Sequence, residues 1–301
     1  MRHLTPLHYI DAIVRAGSIR KAADTLAITS TALNRRVLAL EEELGVQIFE
    51  RLPRGVRLST AGELLIHHIR NQVSDFERLK SRIADLAGER RGHVAIACSQ
   101  ALLPYFLPEQ IAAYRASHPL VTFSVLLRDR AAAEQALVDH SVDLALVFEP
   151  VRLSEFQVLA TARQAVHAVM PPDHPLAARG TVRLAACAEY PLALPTAHYG
   201  VRHLIDLAIR RSSLALQPAV ESDSFEFLRR LPAHERIIGF QIPIGLPLED
   251  GVDGIVSRPI DRRDVPEGLL YLGQLRGRTL PVAAAKFAGL LERAMVDRFG
   301  E

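Results

Sequence analysis

Tryptophan is absent from this chain, and cysteine and methionine are scarce: 301 residues include two cysteines and three methionines. Cys98 and Cys187 are too few for a disulfide framework, so the chain must fold on its core and suits a reducing compartment. Long apolar runs are also missing, and none approaches the ~20 residues that cross a bilayer. The opening "MRHLTPLHYIDAIVRAG" carries charges inside its would-be apolar segment. Neither a signal peptide nor a transmembrane helix is expected, and a cytoplasmic location is. Catalytic signatures are equally lacking: there is no G-x-S-x-G, P-loop, Rossmann glycine fingerprint or metal-ligand cluster. Ser99 and His198 could serve as nucleophile and base only with an orienting acid, which the sequence does not indicate. No enzyme, no cofactor and no metal site is therefore expected.

The charge that is present is unevenly spread. The net is +2 overall, but residues 1–92 carry +4 and the remainder −2. A basic head ahead of a slightly acidic body suits contact with phosphate at one end of the chain.

Residues 5–16 predict a helix with Thr5 as cap, Pro6 in the first turn and Leu7, Ile10, Ile13 and Val14 on one face. Ser18 caps a second helix, "IRKAADTLA", whose Ala22–Ala23 pair admits a close neighbour. After a break at Ile28, Thr29 caps a third helix from Ser30 to about Leu44, with Ala32, Leu33, Val37, Leu40 and Leu44 as its apolar stripe. Ser30, Thr31, Asn34 and Arg35 fall on its outer N-terminal face, and Arg36 lies about 100° further round, toward phosphate or solvent. Such a helix-turn-helix places its second helix in the major groove of DNA. The segment "QIFERLPRGVRLS" predicts a two-stranded wing turning at Pro53–Gly55, with Arg51, Arg54 and Arg57 in or beside the turn, suited to phosphates or the minor groove. A bland alternative, arginines protecting an exposed strand edge, is less favoured next to a helix-turn-helix.

Thr60 and Glu63 of "TAGE" predict a capping box that starts a long helix. Leu65, Ile69, Val73, Phe76, Leu79, Ile83 and Leu86 form a narrow seam along it, the pattern of a helix that pairs with a second copy. His67 and His68 are adjacent, point to different faces and read as surface residues.

Residues 4–62 resemble the N-terminal domain of LysR-type transcriptional regulators, through "GSIRKAADTL", "ALNRRVLALEEELGVQIFER" and "RLSTAGE" in that order. The resemblance implies a cytoplasmic, bacterial-type regulator that binds dyad-symmetric double-stranded DNA. It also implies a homodimer through the linker helix and assembly into a homotetramer. One stretch departs from the family, where the usual Ser-Gln-Pro-Ala-Leu-Ser-Arg gives way to Thr29-Ser30-Thr31-Ala32-Leu33-Asn34-Arg35. Ser30 is too short for the bidentate contact to adenine that glutamine makes, whereas the amide of Asn34 could restore it. Asn34 and Arg35 are thus expected to read bases, and Ser30 and Thr31 to position phosphates.

From Gly92 onward strands alternate with helices, "HVAIA", "VTFSVLLR" and "DLALVF" first, then "VHAVM", "PLALP", "PAVES" and "RIIGFQIP". This predicts an α/β architecture with mostly parallel sheets in two subdomains. Residues 92–299 resemble, more loosely, the LysR-type effector-binding region, which implies the periplasmic-binding-protein fold. The expected organisation is a winged helix-turn-helix at 1–59, a linker helix at 60–91 and an effector region at 92–301. Within it, subdomain one takes 92–154 and 268–301, and subdomain two takes 155–267, with crossings near Ser154–Phe156 and Glu267–Gly268. The overall class is α+β multidomain.

Ligands in such folds sit between the subdomains, at strand ends and helix N-termini. Four loops become candidates: Ser99–Gln100, the Thr196–Gly200 run with Thr196, His198 and Tyr199, then Ser222 and Ser224, and Gln241. Family resemblance implies a small-molecule effector such as a carboxylate or aromatic metabolite. For each residue a helix cap or plain polar loop is the competing explanation. Cys98 adjoins the first loop, but its apolar context "AIACS" suits a buried structural thiol rather than a redox sensor. Alternatives are an effector-independent repressor or architectural DNA-binding protein and, with less support, a solute-binding protein or α/β enzyme.

Overall fold

The computed structural model describes residues 5–53, 55–86, 91–152, 154–212 and 214–300. They divide into two compact units, residues 1–80 and 81–301.

The first unit is helical with a small hairpin. Helices α1 (Thr5–Ala16), α2 (Ile19–Thr25) and α3 (Ser30–Leu44) precede strands β1 (Phe49–Leu52) and β2 (Gly55–Leu58), and α4 (Thr60–Leu86) follows. Ile10, Ile13, Ala22, Ala23, Leu33, Val37, Ile48, Phe49, Ile66 and Ile69 form one buried cluster. Ala22 and Ala23 are both buried on α2, which packs on α1 and α3, and small side chains suit such a close approach of helices. Thr29 caps α3, its Oγ1 accepting the Ala32 N–H at 3.2 Å. Gly45 ends that helix in the left-handed region at φ 67°. The carboxylate of Glu41 accepts the Ile48 and Phe49 N–H groups at 2.7 and 3.1 Å, which ties the end of α3 to the start of the wing.

The start of α4 differs from the expected Thr60 capping box. Ser59 is the residue whose hydroxyl accepts the Gly62 N–H, at 3.0 Å, while also donating to the Gln47 carbonyl. Gly62 explains the choice: a Cβ there would overlap the Ile48 carbonyl oxygen, so glycine is needed for α4 to lie this close to the wing. Arg70 of α4 pairs with Asp11 of α1 at 3.1 Å, both side chains largely buried. The apolar seam of α4 splits. Leu65, Ile69 and Val73 pack on the head's core, whereas Leu79 and Ile83 are 49% and 57% exposed.

The second unit contains two five-stranded sheets. Strand β3 (Gly92–Cys98), helix α5 (Phe106–Ser117), β4 (Val121–Leu127), α6 (Arg130–Val138) and β5 (Leu144–Phe148) form a parallel β-α-β series. Strand β6 (Phe156–Gln164) follows, then β7 (His167–Met170), α7 (Leu184–Cys187), β8 (Leu192–Pro195), α8 (Gly200–Arg210), β9 (Val220–Ser222), α9 (Phe225–Arg230), β10 (Ile238–Gln241), β11 (Val256–Pro259), β12 (Gly268–Leu275) and α10 (Val282–Phe299). One sheet has the order β4-β3-β5-β12-β6 and the other β11-β7-β10-β8-β9.

Two expectations need correction here. The sheets are mixed rather than mostly parallel, because β12 runs antiparallel to both β5 and β6, and β7 antiparallel to β10 and β11. The outgoing crossing also lies later than Ser154–Phe156: β6 pairs along its length with β12, from Phe156↔Leu275 to Gly268↔Gln164, so the chain leaves this sheet after Gln164. The return at Glu267–Gly268 coincides with the start of β12. Helix α10 packs back on β3 and β6, with Phe287 edge-on to Tyr114 and Phe123.

Candidate functional site

Two sets of polar groups were expected to act, and the structure treats them differently. On the head, the first turn of α3 presents Ser30 and Thr31 as exposed side chains, with Thr29 occupied as the cap. Arg35 is exposed and makes no hydrogen bond or ion pair with another described residue. Asn34 is half-buried, and its Oδ1 accepts from the Arg51 guanidinium of β1 at 3.1 Å. That bond joins the hairpin to the N-terminal half of α3.

Arg36 has a partner within the head. While remaining exposed, its guanidinium donates to the Tyr9 hydroxyl and lies over the Tyr9 ring, 4.7 Å from the centroid, a contact that links α3 to α1. Arg57 pairs with Glu50 directly across the hairpin at 2.5 Å, and this raises its pKa through the hydrogen bond and the adjacent charge. Its charge is already partly neutralised. Arg54 lies outside the described residues. Tyr9 and Glu50 were not legible as partners in the sequence, because each meets its arginine only through tertiary packing or hairpin register.

In the second unit the candidate loops do converge, yet they bind one another. The side chain of Gln100, in a single 3₁₀ turn after β3, donates to the Tyr199 hydroxyl at 3.0 Å and to the Asp223 carbonyl at 2.6 Å. Its Oε1 accepts the Phe225 N–H at the start of α9, at 3.0 Å. Ser224 caps α9 by accepting the Phe227 N–H, and Ser222 accepts the Ser224 N–H. The ring of Tyr199 stands edge-on to Phe225, with centroids 4.8 Å apart. Gln241 is buried, and its Oε1 accepts the N–H of its own neighbour, Ile242. His198 is exposed. The hydroxyl of Thr196 is buried with no hydrogen-bond partner among the described residues.

Space in the cleft is correspondingly small. The cavity lined by Ser99, Arg130, Phe148, Tyr199, Phe225 and Ile242 holds about 10 Å³, room for roughly one water. Phe148 lines it, and Gly200 at the head of α8 approaches Phe148 so closely that a Cβ would sit 2.7 Å from its carbonyl oxygen. A second cross-link lies at the rim. The Tyr105 hydroxyl donates to Asp253 at 2.6 Å, and Arg229 bridges both. Burial, then that hydrogen bond, pushes the Tyr105 phenol up to about 12. Cys98 and Cys187 are both buried free thiols, pushed up to about 12 by burial, which suits structural rather than reactive groups. No group of three or more metal-ligating side chains occurs among the described residues, and none of their helices is long and apolar enough to cross a membrane.

Comparison with known proteins agrees across both units. Residues 4–63 match the model of the bacterial regulatory helix-turn-helix protein, lysR family, and residues 87–296 match that of the LysR substrate binding domain. The RuBisCO operon transcriptional regulator of Allochromatium vinosum is 30% identical over 203 residues, 67% of each chain. Other curated relatives are spanned over 53% to 72% of their length, as with the 64% of YtlI from Bacillus subtilis. In fold, the chain is similar to a full-length OxyR variant from Pseudomonas aeruginosa, with a TM-score of 0.71, 18% identity and 97% and 94% of the two chains covered. The CbnR regulator complexed with its target DNA superposes with a TM-score of 0.55 at 18% identity, over 97% of this chain and 99% of that one.

Proposed function

The chain belongs to the LysR family of bacterial transcriptional regulators, and from that premise we propose that it reads duplex DNA with the N-terminal turn of α3. The observation that carries this reading is the exposed, unpaired set Ser30, Thr31 and Arg35 on one face of a capped helix whose opposite face, Leu33 and Val37, is buried. A polar face this close to a helix N-terminus suits base edges and phosphates together. Asn34 contributes from the same face with Arg51 as its fixed support, and Arg54 and Arg57 add wing contacts to the backbone. Arg36 acts by holding α3 against Tyr9.

The working form is a homodimer paired through the distal part of α4, where Leu79 and Ile83 are exposed in a single chain, and a homotetramer built from such dimers. The target is dyad-symmetric DNA, the location cytoplasmic and the activity non-catalytic. A small-molecule effector enters between the two sheets of the second unit, near Ser99, Gln100, Thr196, His198, Tyr199, Ser222 and Ser224. The cavity volume of about 10 Å³ favours a second reading as well, in which regulation proceeds without an effector.

Selection from a random duplex pool, with wild type and with Ser30→Gln, tests the first reading. Wild type should enrich a dyad, and Ser30→Gln should change the selected bases while leaving the half-site spacing. Failure to enrich any sequence at moderate salt, alone or with candidate metabolites, would refute sequence-specific reading by α3. A metabolite screen by thermal shift separates the second reading from the first, since a bound effector raises apparent stability.

A further inference from the structure

We propose that the carboxamide of Gln100 is a tethered occupant of the cleft, holding the two sheets of the second unit together with no ligand bound. Gln100 belongs to the half containing β3, whereas all three of its partners, Tyr199, Asp223 and Phe225, belong to the half containing β8 and β9. The cradle they form offers one N–H donor, one backbone carbonyl acceptor and one hydroxyl. A primary amide matches it, because one sp² carbon carries both an acceptor oxygen and a two-proton donor nitrogen. A carboxylate does not match, since it has no proton for the Asp223 carbonyl and would set two acceptors face to face.

The surroundings fit a site that is filled rather than vacant. Beside the amide, the cavity bordered by Ser99, Phe148, Tyr199 and Phe225 holds only about 10 Å³, and Gly200 at the head of α8 lies against Phe148 with no room for a Cβ. A second close approach supports it, since a Cβ on Gly245, in the turn after β10, would lie 2.8 Å from the Ala101 carbonyl oxygen beside Gln100. An effector that takes this cradle must displace Gln100, and the class that can do so while satisfying both the Phe225 N–H and the Asp223 carbonyl is a carboxamide. That last step rests on reading the cleft as the effector site. Closure by Gln100 does not.

The rim link through Tyr105 must be removed to isolate this contact, so the test uses full-length Tyr105→Phe. Cysteines introduced at Ala131→Cys and Ala197→Cys, both exposed and on opposite halves, carry spin labels, while Cys98 and Cys187 are fully buried and stay unlabelled. Labelled chains are diluted with unlabelled ones so that distances are measured within one chain. With Gln100 intact, a single narrow distance is expected. Gln100→Ala should give a shifted and broader distribution, and exchange of the Phe225 amide should accelerate at least about tenfold. Propionamide added to Gln100→Ala should restore the narrow distance, and propionate should not. Gln100→Met, equal in length but without the amide, should open as Gln100→Ala does and covers the case in which the smaller side chain impairs folding.

A broad distribution with Gln100 intact, or an unchanged narrow one without it, overturns closure by Gln100. Restoration by propionate as well as by propionamide overturns the amide class. Neither result bears on DNA selection by the head, so the two readings fail separately.

Discussion

The polar face of α3 and the polar loops of the cleft were marked by similar residues, yet one stays available and the other is consumed internally. On α3, Ser30, Thr31 and Arg35 are exposed on the side opposite the buried Leu33 and Val37 and have no hydrogen-bond partner among the described residues. In the second unit Gln100, Tyr199, Ser222 and Ser224 lie where two sheets converge, and each finds a partner across or beside the cleft. A convex surface leaves hydrogen-bonding capacity to a partner, whereas a cleft lets the protein use its own.

The contrast is sharpest if the units can be perturbed separately. The largest effect is expected from Gly62→Val, which drives a side chain into the Ile48 carbonyl. It should lower stability of the head by more than about 3 kcal/mol and leave unfolding of the second unit unchanged. Denaturant titration with probes in each unit checks this, and a matched loss in both would show that they do not unfold as separate units.

Next in size are the readout residues. Arg35→Ala and Asn34→Ala should each weaken binding to a selected duplex by ~1–3 kcal/mol, with little effect on random duplex if they touch bases. Arg36→Ala should act differently, lowering the head's thermal midpoint through loss of the Tyr9 contact and weakening specific and random duplex about equally.

Acid should reach the second unit through His167. Burial, with Arg258 of β11 adding to it, depresses this imidazole to about 4, and it contacts the Ser257 hydroxyl at 3.2 Å. A depressed histidine is neutral in the native state while the unfolded chain takes up the proton. Its contribution is thus complete above about pH 6.5 and is lost as pH falls toward 4. His167→Gln should remove up to about 2 kcal/mol of that acid-side loss, read as a flatter stability profile between pH 6.5 and 4. An unchanged profile would place the acid sensitivity elsewhere.

The smaller effects belong to ion pairs. Asp11→Ala should cost the head about 1 kcal/mol, because Arg70 would lose this carboxylate at a largely sheltered position. Arg57→Ala should reduce the salt dependence of DNA binding by less than a full phosphate contact, since Glu50 already shares its charge. A full unit of slope would mean that Glu50 releases Arg57 on binding.

The helices of the head were legible because each carries its own signal: capping at Ser18 and Thr29, a 3–4 spaced stripe and glycine at the end. Even there the cap of α4 was misplaced by one residue, since Ser59 and Thr60 are chemically alike and only the approach to Ile48 selects between them. Strands β3, β4 and β5 were legible as apolar runs. Strand β6, "FQVLATARQ", was not, because it lies at a sheet edge with an irregular pattern of burial and pairs with β12, more than a hundred residues away. The loops of the candidate cleft were found, but not the bonds among them.

Local pattern alone thus determined the helix-turn-helix, the outward face of its recognition helix and the α/β character of the remainder. Those depend on periodicity and capping within a few residues, which are written directly in the chain. Tertiary structure decided which arginines remain available, where the chain crosses between sheets and whether the cleft is filled. Arg36 finds a partner because α1 brings Tyr9 to it, and Gln100 is satisfied because a segment about 125 positions later folds against it. Contacts of that kind join residues whose spacing carries no period, and they exist only once the core has closed.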